Sequence, residues 1–271
     1  MKKTVLITGT SSGFGKLAVK KFQSEGWNVI ATMRTPEKEQ ELNTLENVLV
    51  LKLDVTDKSS IDQAVSDGIA HFGKIDVLVN NAGYALQGVF EYTSDEQMRR
   101  EFDVNVFGLV DTTKALLPHF RTSMNGVVVN VSSIAGRVAF PFTTFYHASK
   151  FAVEGLTESL QYELLPFGIG VKLVEPGAFG TNINSSASWA NGEHNNPYSD
   201  KLHIAKTAMQ TMAATLQQDP KEVADKIFQA ATDDSSTLRY PVGGDAIQVL
   251  GAREKMGDSE FKDMMITNLG I

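Results

Sequence analysis

Thr4-Val5-Leu6-Ile7-Thr8-Gly9-Thr10-Ser11-Ser12-Gly13-Phe14-Gly15 is the stretch on which the reading of this chain turns. A short β-branched and apolar run breaks at once into glycines and hydroxyl residues, the pattern of a strand, a tight turn and a helix start. Gly9 permits the turn, Gly13 lets backbone approach a phosphate without a Cβ in the way, and Gly15 lets the helix pack closely on its strand. The first free N–H groups and the positive helix end then face a pyrophosphate. The spacing G-x-x-x-G-x-G departs from the common G-x-G-x-x-G fingerprint, so the turn alone is weak evidence.

Outward from it, strand-like runs recur at Val5-Ile7, Asn28-Ala31, Val48-Leu53, Ile75-Asn80, Val127-Val131, Val171-Val174 and Leu238-Val242. Segments of helical periodicity separate them, and strands alternating with helices imply an α/β fold with a parallel sheet and crossovers on both faces. Gly26 ends the first helix, and Asp219-Pro220-Lys221-Glu222 reads as an N-cap, a proline at the first helical position and a reciprocal acid. No internal repeat or low-complexity tract is visible. Thr181 to Asp200, rich in Asn, Ser, Gly and Ala, lacks periodicity, as lids and binding loops do.

A second signature sits at Tyr146 and Lys150, which at i and i+4 share one helix face. Ser132 and Ser133 lie just upstream, Ser133 thirteen residues before the tyrosine. A free phenol ionises near pH 10, and bringing that value toward 7 requires about 4 kcal/mol in favour of the phenolate. A desolvated ammonium within a few ångströms can supply it. Taken alone, Tyr-x-x-x-Lys is an ordinary amphipathic pair.

Joined to the glycine turn, to Asn80-Asn81-Ala82-Gly83 closing a strand, to Asn105 and to Pro176-Gly177, the pair gains meaning. With these motifs in this order from about residue 3 to 245, the chain resembles the short-chain dehydrogenase/reductase family in its compact, single-domain branch. The resemblance implies a Rossmann doubly wound parallel sheet of seven strands in the order 3-2-1-4-5-6-7. Ligand is then expected beyond the strand carboxyl ends, near the switch between strands 1 and 4. It further implies that Tyr146 is the general acid in reduction and the base in oxidation, and that Ser133 hydrogen-bonds the carbonyl oxygen. Lys150 would lower the tyrosine pKa and hold the nicotinamide ribose, while Asn105 would support a proton-relay water to the lysine. Ser132 is the neighbouring register.

The same resemblance places a dinucleotide against Gly9, Thr10, Ser11, Ser12, Gly13, Phe14 and Gly15, and against Asp54, Val55, Asn81, Ala82 and Gly83. Tyr146, Lys150, Pro176, Gly177, Phe179 and Thr181 complete that set. As a bare feature Asp54 also reads as a helix N-cap. An acid at the end of the second strand selects NAD by binding the ribose 2′-OH and repelling a 2′-phosphate. Met33 stands there instead, followed by Arg34, whose guanidinium can grip a phosphate, with the Thr10 and Ser11 hydroxyls in the adjacent turn. NADP(H) is therefore the expected cofactor.

Phe140, Phe142 and Phe145 precede the tyrosine; Phe179, Trp189, Tyr198, Leu202 and Met209 lie in or near the irregular segment. Ser133, Phe140, Phe142, Tyr146, Phe179 and Trp189 are the expected substrate contacts, an apolar set suited to a hydrophobic ketone or aldehyde. His147 adjoins Tyr146, but neighbours on a helix point about 100° apart, so it should face elsewhere. His71, His119, His194 and His203 show no metal spacing, and no metal is expected.

Composition agrees: 271 residues, 42% hydrophobic and 21% charged, suffice for a sizeable core. A net charge of −7 argues against nucleic acid or an anionic membrane surface as partner. The absence of cysteine removes disulfides, thiolate metal sites and a cysteine nucleophile together. The apolar run after Met1-Lys2-Lys3 ends at Gly9, too short for a secretory signal, and nothing approaches a transmembrane span. A cytoplasmic location is expected.

One domain over 1–271 is expected, with a substrate lid over about 181–210 and a helical extension over about 245–271. The extension resembles the branch holding steroid and retinoid dehydrogenases and bacterial ketoreductases. It departs from the family's commoner tetramer-forming ending, which leaves a homodimer or a homotetramer open. Competing readings are an NAD-linked secondary alcohol or steroid dehydrogenase and a redox sensor that binds NADPH without turnover; sensors of that kind usually lose the Tyr or Lys retained here.

Overall fold

The computed structural model describes residues 2–179, 188–190, 196–216 and 218–270. In chain order they form β1 (Thr4–Thr8), α1 (Gly13–Ser24), β2 (Asn28–Met33), β3 (Val48–Lys52), α2 (Lys58–Phe72), β4 (Val77–Asn80) and the two-residue β5 (Leu86–Gln87). Next come α3 (Asp95–Phe102), α4 (Gly108–Ser123), β6 (Gly126–Val131), α5 (Thr144–Leu164), β7 (Ile169–Pro176) and the two-residue β8 (Ser188–Trp189). The remainder is α6 (Ser199–Leu216), α7 (Lys221–Thr232), β9 (Arg239–Val242), α8 (Gly244–Lys255) and α9 (Asp258–Leu269).

Seven strands form one sheet in the order β3-β2-β1-β4-β6-β7-β9, every ladder parallel. With the two short strands set aside, this is the expected 3-2-1-4-5-6-7. The pleat sends alternate residues of β1 to opposite faces. Val5 and Ile7 meet Ala18, Val19 and Phe22 of α1 and Ile227 of α7 on one face, while Leu6 meets Val65 of α2 and Leu116 and Phe120 of α4 on the other. Both faces are therefore dry, as a parallel sheet requires.

Local signals act as read, with small shifts. α1 stops at Ser24, just before Gly26. The Asp219 carboxylate accepts the Lys221 N–H at 2.9 Å, as a cap does, although the helix proper starts one residue later than expected. The unforeseen element is the β5–β8 pair, which joins Leu86-Gln87 to Ser188-Trp189 in a separate two-stranded ribbon. The first part of the expected lid, with Thr181, lies outside the described residues. Its second part is helix, α6, which runs past 210 to Leu216. The extension after β9 is the helix pair α8 and α9, and Ala246, Leu250 and Phe261 pack there against Ile134 and Val138.

Candidate active site

A cavity of about 890 Å³ opens beyond the carboxyl ends of the central strands, running from the glycine turn past Ser133, Tyr146 and Lys150 to Trp189. At the first end, Gly9 (φ +71°) and Gly13 (φ +58°) hold left-handed backbone that side chains strain to adopt. A Cβ on Gly9 would fall 2.8 Å from Ala82 Cα, so the turn lies directly on the end of β4. Asn81 ties the two together, its Nδ2 donating to the carbonyls of Thr8 at 2.9 Å and Gly9 at 3.1 Å. In return Thr8 Oγ1 accepts the Asn81 and Ala82 N–H groups, both at 3.0 Å. A Cβ on Gly15 would overlap the Gly9 carbonyl, so this glycine serves close packing beneath the turn and does not line the cavity.

Ser12, the N-cap of α1, makes no side-chain cap bond. The first-turn amides keep their capacity for an external anion, and Gly13 faces open space. These features fit the diphosphate of a dinucleotide. Thr10 needs correction: it is fully buried, and its hydroxyl donates to the Thr32 carbonyl at 3.1 Å, so it does not stand beside Arg34. Ser11, Ser12, Phe14, buried Met33 and exposed Arg34 do line this end. Among the described residues no ion pair engages Arg34. Asp54 and Val55 form the adjacent wall. Asp54 Oδ1 accepts the Thr56 N–H at 3.0 Å and hydroxyl at 2.8 Å, whereas Asp57 caps α2 through Ser59 and Ser60. The N-cap reading of Asp54 is thus wrong.

Midway, Ser133 closes β6 and enters a short 3₁₀ turn, its Oγ accepting the Ala135 N–H at 3.1 Å. Ser132 instead turns inward, its Oγ buried without a partner among the described residues. Tyr146 lies in the first turn of α5 with Lys150 one turn on. Burial pushes the phenol up to about 12; its hydrogen bond with Ser133 pulls it back and the Glu101 charge adds to the rise. Lys150 Nζ donates to the Val131 carbonyl at 2.9 Å and stands 5.9 Å from the Tyr146 ring centre. Burial lowers its pKa to about 8, against the opposing charges of Glu101 and Glu154. The expectation that Lys150 lowers the tyrosine pKa is therefore not met in this geometry. The ammonium is committed to a main-chain carbonyl, and loss of solvent dominates the phenol.

Asn105 is buried in a π-helical turn, Asp103–Phe107, between α3 and α4. Such turns recur at functional sites because they re-aim one side chain. Its Oδ1 accepts the Tyr84 N–H at 3.0 Å, and the two hydrogens of its Nδ2 are shared among Tyr84 O at 2.9 Å, Glu101 Oε1 at 3.0 Å and Ser149 Oγ at 3.1 Å. The side chain is spent on these bonds, none of which reaches Lys150. Gly83 borders it, since a Cβ there would lie 3.1 Å from Asn105 Oδ1.

At the far end Phe140, Phe142 and Trp189 line the cavity, as do Leu202 and Met209. Phe179 touches it too, but its ring is buried edge-on against Phe14 at 5.7 Å, which places it beside the glycine turn. Phe145 stacks on Phe90 at 5.1 Å, and the Tyr198 hydroxyl donates to Glu91 at 2.8 Å; neither lines the cavity. His147, expected to face elsewhere, does edge the cavity, but both ring nitrogens are engaged, Nδ1 with Ala135 O and Nε2 with the Phe140 N–H, each at 2.8 Å. Sequence reasoning missed Tyr84, Gln87, Arg100 and Lys206, which complete this wall. Lys206 Nζ sits 3.9 Å over the Trp189 ring, whose main-chain carbonyl accepts Gln97 Nε2 at 2.7 Å. Nothing local in the sequence marks these residues. Among the described residues no group of three metal-binding side chains occurs, and no helix is long and apolar enough to cross a membrane.

Residues 3–192 match the short chain dehydrogenase family. An uncharacterised oxidoreductase of Schizosaccharomyces pombe is 41% identical over 235 residues, covering 84% of this chain and 96% of that protein. A 3-ketodihydrosphingosine reductase of Bacteroides thetaiotaomicron is 41% identical over 200 residues, covering 73% of this chain and 72% of that one. Among solved structures, a short-chain dehydrogenase from Streptomyces avermitilis superposes with a TM-score of 0.85 at 36% identity, covering 100% of this chain and 99% of the other. ElxO with NADP bound superposes at 0.75 and 30% identity, covering 92% and 100%. The parallel sheet, the glycine turn at its carboxyl edge and these matches agree: the chain belongs to the short-chain dehydrogenase family of oxidoreductases.

Proposed function

We propose that this protein is an NADPH-dependent reductase of a hydrophobic ketone or aldehyde, working reversibly within one domain. The observation that carries the reading is the continuity of one cavity from the uncapped start of α1, past Ser133 and Tyr146, to an apolar end at Phe140, Phe142 and Trp189. Bound NADPH supplies the hydride.

The first-turn amides of α1 bind the diphosphate, Asp54, Val55 and the Ala82-Gly83 backbone flank the adenosine half, and Arg34 takes the 2′-phosphate. Pro176 and Gly177, which line the cavity, would border the nicotinamide. As the carbonyl oxygen gains charge, Ser133 donates a hydrogen bond to it and Tyr146 delivers its proton. A donor placed before charge develops costs no reorganisation when the reaction occurs. A phenol held well above its usual pKa stays protonated at neutral pH, which suits an acid in the reductive direction. Lys150, one turn along, supplies positive charge behind it. The aromatic rings of Phe140, Phe142 and Trp189, beside the polar Gln87, Arg100 and Lys206, favour a bulky or aryl carbonyl. The related Bacteroides protein, named a 3-ketodihydrosphingosine reductase, accords with a ketone as substrate.

The test is oxidation of NADPH and of NADH by the purified protein with aryl ketones, keto esters and a long-chain ketone. Turnover with NADPH is expected; equal or better turnover with NADH would overturn the role of Arg34. Binding of NADPH without turnover of any carbonyl would favour the sensor reading.

A further inference from the structure

Glu101 takes no part in the reaction as described, yet it lies at the last turn of α3 with no exposed surface. A carboxyl group is rarely removed from water without a partner. One oxygen, Oε1, accepts the Asn105 amide at 3.0 Å; the other, Oε2, has no hydrogen-bond partner within bonding geometry among the described residues, and burial raises the carboxyl to about 7, so it is ionised where Lys150 titrates. The groups facing it come from three directions. The charge of Lys150 and the Ser149 hydroxyl act on it from α5, Tyr84 and the Leu86 backbone from the segment after β4, and Asn105 bonds it from the π turn; Gly83 lies between Asn105 and Lys150, a Cβ there falling 3.1 Å from Asn105 Oδ1 and 3.9 Å from Lys150 Nζ. Arg100 and Asp103 act on the neighbouring Tyr84 phenol from further out.

Hydrogen bonds extend the contact into the catalytic helix. Asn105 Nδ2 also donates to Ser149 Oγ at 3.1 Å, and Ser149 donates in turn to the Tyr146 carbonyl at 2.8 Å. Glu101 is thus joined through two side chains to the turn that bears Tyr146 and Lys150. Lys150 itself is buried, and its one hydrogen bond among the described residues goes to a carbonyl oxygen, so an ammonium there needs compensating charge, which Glu101 of α3 and Glu154 one turn further along α5 both supply.

We infer that Glu101 is a positioning residue: its buried carboxylate holds the proton on Lys150 and, through Asn105 and Ser149, fixes the turn of α5 that presents Tyr146. The inference rests on the reading of Tyr146 and Lys150 as the acid–base pair. It follows that Glu101→Gln, which keeps the acceptor oxygen and removes the charge, lowers the pH at which Lys150 loses its proton. A unit charge several ångströms away in a partly buried site moves that midpoint by about 0.5 to 1 pH unit.

The midpoint can be read without turnover, from the side-chain carbon resonances of ¹³C-lysine in the cofactor-free protein, Lys150 being assigned by its loss in Lys150→Met. Glu101→Gln should move the midpoint down while Glu101→Asp leaves it near the wild-type position. The pH profile of kcat/KM should shift in the same direction. An unchanged Lys150 midpoint in a Glu101→Gln protein with wild-type circular dichroism would overturn the inference. Should that variant not fold, linkage supplies the reciprocal measurement. The Glu101 carboxyl, followed with ¹³C-glutamate, must titrate at higher pH in Lys150→Met, and an unmoved midpoint there also overturns it. Absence of turnover would count against the reductase reading alone, because neither titration requires a substrate.

Discussion

At the glycine-turn end of the cavity the wall is made by strand ends and the residues that follow them: Gly9 to Phe14 after β1, Met33 and Arg34 at β2, Asp54 after β3, Asn81 to Gly83 after β4. At the Trp189 end it is assembled from β5, β8, α3 and α6, segments about a hundred residues apart in the chain and joined by a ribbon of two residues on each side. The first end is coded by local backbone demands. The second depends on which distant side chains the fold brings together. The same division should appear in function, with changes at one end altering cofactor use and changes at the other altering substrate use.

Between the two ends stands Tyr146, and its replacement should produce the largest effect. Tyr146→Phe removes the proton and keeps the ring, so kcat should fall by about 10²- to 10⁴-fold. NADPH binding, followed by fluorescence titration, should change by less than about threefold, because the glycine turn and Arg34 are untouched. Loss of cofactor binding in step with kcat would mean that the ends are not separable.

Arg34→Met tests the cofactor end by itself. A charge-assisted hydrogen bond contributes about 1.5–3 kcal/mol, so kcat/KM with NADPH should drop by about 10- to 100-fold while kcat/KM with NADH stays level. An equal loss with both cofactors would assign Arg34 to structure. Trp189→Ala makes the matching test at the far end. Loss of aromatic contact is worth about 0.5–1.5 kcal/mol, so KM for a bulky aryl ketone should rise by about two- to tenfold, with KM for NADPH unchanged.

The division also explains what could be read from the sequence. The seven sheet strands and the glycine turn were legible because a parallel sheet needs apolar runs and the turn needs glycine at φ +71° and +58°, while their order came from the family resemblance. Thr10 was misjudged because a hydroxyl in a turn carries no mark of which way it faces, and here it closes the β1–β2 seam. Asp54 and Asp57 both precede α2, and only the fold decides that the second caps it. Lys150 was placed on the correct face, but spacing says nothing of the Val131 carbonyl that accepts its hydrogen bond. Glu101, Arg100 and Lys206 had no signature at all, since their significance arises from contacts across the fold.

His147 provides the smallest and most selective test, because it braces the loop between Ser133 and Tyr146. Its Nε2 accepts the Phe140 N–H and its Nδ1 faces the Ala135 carbonyl, so the ring must be neutral with its proton on Nδ1. Burial lowers its pKa below the ordinary 6.5, while its bonds to that loop act in the opposite sense. Because the folded protein resists a proton that the unfolded chain accepts, the stabilising contribution is complete above about pH 6.5 and declines as pH falls through the interval below it. The slope from this one group cannot exceed about 1.4 kcal/mol per pH unit. Urea unfolding at pH 7.5 and at pH 5.5 should therefore show a loss of stability in the wild type that shrinks in His147→Gln. If the loop is the element released, KM for the ketone should rise at the lower pH before KM for NADPH does. An acid sensitivity identical in both proteins would transfer the effect from His147 to the carboxylates, and a simultaneous rise in both KM values would show that the loop serves the cofactor end as well.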